Sequence, residues 1–186
     1  MKDLYNVMES IFDREETIIG RVTKGAELAA SADWLQGHGV KGCTQGVSRP
    51  DIHKNMFKDQ DPSQGIWQLP HNVLFISKKD KDIPSFVKIN SLLGLVIQDY
   101  PGETLPDFGL INCSYVTIMN CPNLKSLHNC PANVNKFSIS GCPKITSLDG
   151  APKIASELFK VIRCGKKFTY NDIKRVCVVD KNDAIY

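Results

Sequence analysis

The 186-residue chain has no run approaching the ~20 apolar residues of a membrane-spanning helix, which excludes a helical span as its organising feature. It also lacks a dominant charge: 23 Lys and Arg stand against 20 Asp and Glu, a net charge of +3. A protein that tracks phosphates needs a basic stripe. The densest basic run here, Lys78-Lys79-Asp80-Lys81, is broken by a carboxylate and reads as a solvated turn, so nucleic acid is not an expected partner. The seven cysteines contain no Cys-x-x-Cys pair, whereas structural zinc sites usually bring paired ligands. No metal and no cofactor are expected. The Gly37-His-Gly39-Val-Lys-Gly42 stretch lacks the Gly-Lys-Ser/Thr ending of a phosphate loop. The opening residues carry Asp3 and Glu9 and no apolar core of an export signal, so the expectation is a protein that is not secreted, with free thiols.

What the chain does have is a step of 21 residues. Val116-Thr-Ile-Met-Asn-Cys-Pro-Asn-Leu-Lys-Ser-Leu and Phe137-Ser-Ile-Ser-Gly-Cys-Pro-Lys-Ile-Thr-Ser-Leu share one pattern. The first apolar position recurs at Leu74, Leu95, Val116, Phe137 and Phe159, and the second at Ile76, Ile97, Ile118, Ile139 and Val161. Three residues further come Lys79, Tyr100, Cys121, Cys142 and Cys164. Short alternation is a strand with one face buried, and a fixed period near this length marks a solenoid, whose rungs stack into a parallel ladder. Ile83 and Phe86, then Leu105 and Phe108, are expected to fill the turn side of the first two rungs. Asn129 and Gly150 share a turn register, as do Pro131 and Pro152. Val134 and Ile154 are expected beneath the next rung, with the longer last step absorbed between Ile154 and Phe159.

The string Cys-Pro-Lys-Ile-Thr-Ser-Leu-Asp-Gly-Ala-Pro-Lys-Ile at 142–154 and the string Cys164-Gly-Lys-Lys-Phe-Thr resemble short leucine-rich-repeat-like proteins of large tailed bacteriophages, those of gut bacteria included. In that group a Ser-Leu-x-Gly-x-Pro-x-x-Val unit recurs, and a Cys-Gly-x-x-Phe-Thr segment with a short helix closes the array. The opening Met-Lys-Asp-Leu-Tyr-Asn-Val-Met-Glu-Ser-Ile-Phe-Asp is similar to a start shared among unrelated proteins of such phages. The resemblance covers residues 1–13 and 74–179, is weakest in the first two rungs, and brings no settled biochemical activity with it. It implies a location in the virion or the bacterial host cytoplasm.

The expected fold is therefore α+β: a short parallel β-solenoid, leucine-rich-repeat-like, of about five 21-residue rungs. A partly helical N-terminal region and a small C-terminal helix cap cover its ends. The divisions are 1–36, an N-terminal helical segment; 37–72, an irregular segment on the solenoid end; 73–168, the solenoid; and 169–186, the cap. Leu4, Val7, Met8, Ile11 and Phe12 recur at helical spacing over residues 3–12. A second helix is expected over 24–36, with Leu28, Ala32 and Leu35 on one face and Gly37 as its stop. Thr169-x-x-Asp172 reads as a capping arrangement that opens a helix to about Val176. Ile173 and Val176 are expected inward, Val178 and Val179 in a last strand, and the end frayed.

His38, Cys43 and His53 form the nearest approach to a Cys–His nucleophile pair, but no orienting third group is identifiable in the sequence. Cys121, Cys130, Cys142, Cys164 and Cys177 read as core thiols rather than ligands. The expected function is thus not enzymatic: a protein–protein interaction module of a tailed phage, virion-associated or packaged in the capsid. The alternative is an early phage protein that binds and inhibits a host factor, and a Cys–His hydrolase stands third. Candidate contacts with a virion component or host protein are Thr117, Met119, Ser140 and Ile162 on the outward face of the ladder, and Leu4, Met8, Ile11 and Phe12 on the first helix. Outward columns of Phe75, Val96, Thr117, Ser138, Lys160 and of Ser77, Gln98, Met119, Ser140, Ile162 follow from strand alternation. Apolar members of those columns call for cover by residues 14–72 or by a partner.

Overall fold

The computed structural model describes residues 26–27, 29–38, 40, 66–80, 83–85, 87–110 and 112–186. The expected helix at Leu4–Phe12, the side chain of Phe86, Cys43 and His53 lie outside the described residues. Six strands form one sheet in sequence order: β1 (Ile66–Ile76), β2 (Lys88–Gln98), β3 (Asn112–Met119), β4 (Asn133–Ser140), β5 (Ile154–Ile162) and β6 (Ala184–Ile185). Every pairing is parallel. Helix α1 includes residues 26–27 and 29–37, and helix α2 spans Tyr170–Lys174.

The solenoid expectation holds residue by residue. Leu74 pairs with Leu95, Leu95 with Val116, Val116 with Phe137 and Phe137 with Phe159. Ile76, Ile97, Ile118, Ile139 and Val161 form the second column, and all ten side chains are buried. The Phe137 and Phe159 rings meet at 4.9 Å. Leu105 and Phe108 fill the turn side of the second rung. The extra residue of the last step is a bulge in β5, between the Val134–Ala155 and Lys136–Leu158 pairs, where the spare residue is left out of the ladder.

Several boundaries differ. Strands β1 to β5 run 8 to 11 residues, and β1 begins at Ile66, ahead of the expected solenoid start at 73. Their first halves carry a third inward column, Leu92, Cys113, Val134 and Ala155. It sits three residues before the next inward position in β2, β3 and β4. Strict alternation cannot put both inward, so the strands bend there, and the alternation signal stops at the bend. Ile154 is not beneath the next rung: it pairs with Asn133 and is 45% exposed, while Ala155 takes the inward place.

Where the strands end, Asp99, Asn120, Gly141 and Arg163 adopt left-handed φ of 55°, 53°, 66° and 53°. The turn redirects the chain, so that each following Cys thiol donates to the carbonyl two residues back: Cys121 to Met119 at 3.3 Å, Cys142 to Ser140 and Cys164 to Ile162 at 3.5 Å. Asn129 and Gly150 share the far turn with φ of 72° and 84°.

Both ends are covered. At the N-terminal end Ala32, Leu35 and Val40 join the core, and the Phe75 amide donates to the His38 carbonyl. Gly37 is the last residue of α1 rather than a stop beyond it; His38 Nδ1 bonds the Trp34 carbonyl at 2.6 Å and satisfies that helix end instead. At the C-terminal end Thr169 and Asp172 close a reciprocal capping box. The Thr169 hydroxyl and amide hold the Asp172 carboxyl down to about 2. Ile173 is buried and Val176 half-buried. The expected last strand at Val178–Val179 is only a single bridge, from Val178 to Ile154. The terminal strand is β6, which pairs Ala184 with Phe159, so residues expected to fray are tied into the sheet.

Candidate partner-binding face

The outward side chains of β3, β4 and β5 assemble as the alternation requires. Met119 pairs with Ser140 and Ser140 with Ile162, while Thr117, Ser138 and Lys160 form the adjacent column. Thr117, Met119, Ser140 and Ile162 are all half-buried and lie on one surface. On the first rung Phe75 is 53% exposed. Val96 beside it is half-buried. The face thus mixes small hydroxyls with apolar side chains that the rung itself leaves outward. Leu4, Met8, Ile11 and Phe12 lie outside the described residues.

The strand halves before the bend add surface that alternation alone did not reveal. Ser91, Asn112, Ser114, Asn133, Asn135 and Ser156 line a shallow groove of about 320 Å³ crossing four rungs. A signal for it was present, since Asn112 and Asn133, and Ser114, Asn135 and Ser156, stand at the repeat step. At the bend the Tyr115 ring lies across Gly94, where a Cβ would overlap it. Lys136 and Glu157 pair at 3.2 Å, and Asn135 donates to Glu157 at 3.1 Å. Both charges are exposed, so this pair orders the surface more than it stabilises it.

The thiols are placed for packing. Cys113, Cys121, Cys142 and Cys177 are buried. Burial pushes the Cys113, Cys164 and Cys177 thiols up to about 11 and raises Cys130, next to Cys113 and Cys177, as well. Cys121 is raised by its hydrogen bond with Cys142 and by burial. Protonated thiols of this kind are poor nucleophiles. His38 has both ring nitrogens engaged, Nδ1 with the Trp34 carbonyl and Nε2 with Asp80 Oδ1, each at 2.6 Å. Its ring stacks on Trp34 with centroids 3.8 Å apart. Neither nitrogen is left free to take a proton from a thiol.

Among the described residues no group of three or more His, Cys, Asp or Glu is placed to hold a metal ion. Among the same residues no helix is long and apolar enough to cross a membrane. No protein-family model, no curated protein and no solved structure matches the chain.

Proposed function

We propose that this chain is a non-catalytic protein–protein interaction module of a tailed phage, virion-associated or packaged in the capsid. The observation that carries the binding role is the ordered outward face, where Met119 and Ile162 stand beside Ser140 and Thr117 on adjacent rungs. Apolar side chains set outward on a rigid sheet usually mark contacts. The phage assignment rests on the resemblance of residues 142–154 and 164–169, and a second contact at Leu4, Met8, Ile11 and Phe12 rests on the shared opening. Mass spectrometry of purified particles tests the virion role: abundant protein supports it, whereas absence with early expression favours a free inhibitor of a host factor. With a partner in hand from co-purification, Met119→Asp combined with Ile162→Asp is expected to abolish capture while leaving the fold intact. Undiminished capture by that soluble variant would remove this face and turn attention to Leu4–Phe12.

A further inference from the structure

The proposed face is electrically lopsided. Residues 153–186 carry eight Lys or Arg and four Asp or Glu, an excess larger than the whole chain's net charge of +3. Along one edge the left-handed position changes from Asp99 through Asn120 and Gly141 to Arg163, so charge reverses sign while backbone geometry stays constant. The neighbouring column runs from Val96 through Thr117 and Ser138 to Lys160. At this basic end a cleft of about 340 Å³ opens beside Ile162, bounded by Phe168 and Tyr186 and rimmed by Arg163, Lys166 and Lys167. Lys166 is already committed, to Asp172 at 3.3 Å and over the Phe168 ring at 4.8 Å. Arg163 and Lys167 are exposed and make no ion pair among the described residues.

We infer that the partner of this face presents an acidic extended segment, its carboxylates against Arg163, Lys167 and Lys160 and an apolar side chain in the cleft beside Ile162. This rests on the proposed binding role of the face and adds its chemistry and direction: the acidic end of the partner lies over the fifth rung. Complementary charge steers and orients such a contact. Nucleic acid fits less well, because Lys160 is the one charged member of its outward column, whose other residues are Val96, Thr117 and Ser138, so this face carries no basic stripe that could follow phosphates.

The test is selection of random peptides displayed against the full chain at about 0.05 M salt, where screening is weak. The expected peptides carry Asp or Glu flanking an apolar residue. They lose affinity about ten-fold or more in Arg163→Glu combined with Lys167→Glu, a variant with unchanged melting, and weaken in about 0.5 M salt. Peptides without acidic bias, or acidic peptides that bind the charge-reversed variant equally well, overturn the inference. So does single-stranded DNA that displaces them as effectively as free peptide. Met119→Asp alone separates the two claims. Peptides sensitive to it but not to charge reversal keep the face and remove the acidic partner. Peptides sensitive only to charge reversal keep the cleft and remove the face.

Discussion

Ile139 lies in the inward column between Ile118 and Val161 and is fully buried, while Ile154 on the next strand is 45% exposed. Identical chemistry in two settings makes a direct comparison. Ile139→Ala is expected to cost about 2–5 kcal/mol, the loss of buried methyl groups plus the cavity left behind. Ile154→Ala is expected to stay within about 0.5 kcal/mol, as surface changes usually do. Chemical denaturation of both variants decides, and equal losses would refute the inward–outward assignment. Backbone geometry sets a second kind of constraint at Gly150, whose φ is +84° and where a Cβ would lie 2.7 Å from the Leu127 carbonyl carbon. Gly150→Ala is expected to destabilise by more than about 1 kcal/mol, through the left-handed conformation and the overlap together. An unchanged midpoint would mean that the turn can rebuild.

Helix α1 is too short to persist by propensity alone and depends on what it docks against. Ala32 and Leu35 supply apolar contact, and His38 fastens the helix end to Asp80 after β1. Asp80 also accepts from the Ser77 amide at 2.7 Å. Burial pushes the Asp80 carboxyl up, yet the hydrogen bonds from His38 and Ser77 outweigh it and hold the group below its ordinary 3.8. A carboxyl lowered on folding contributes stability that is fully present above its unfolded value and lost as pH falls through its folded one. Asp80→Asn is therefore expected to cost about 1–3 kcal/mol near neutral pH, the worth of a charged hydrogen-bond set. It should also speed amide exchange in residues 31–38. The gap from wild type should close in acid, once the wild-type carboxyl is protonated. A gap that is constant across the acid range would show that the pair does not hold the helix.

At the scale of the molecule the repeat is a module, because β2, β3 and β4 pair through one constant 21-residue register. Removing residues 116–136 joins Tyr115 to Phe137 and keeps every later side chain on its own face, since Val116 and Phe137 are register partners. That shortened chain is expected to fold with a lower melting temperature. Removing 116–135 instead moves the next strand by one residue and turns its inward set outward. It is expected to aggregate or melt without cooperativity. Circular dichroism on the two deletions separates them, and equal behaviour would count against a modular ladder.

The 21-residue step, the two inward columns after the bend and the C-terminal capping box were legible because they depend on local pattern: alternation for strands, and Thr169 and Asp172 at capping distance. The outward placement of Thr117, Met119, Ser140 and Ile162 followed from the same alternation. Only the tertiary structure decided the rest. The column Leu92, Cys113, Val134 and Ala155 was hidden because a bend interrupts the alternation that would announce it. The His38–Asp80 attachment joins residues 42 positions apart, and β6 closes on β5 by a pairing that two residues cannot signal alone. Ala155 rather than Ile154 faces inward because the ladder keeps its 21-residue offset through the Val134–Ala155 pair and takes up the spare residue of the long last step only after it, and where a sheet absorbs an extra residue depends on what both neighbouring strands can pack.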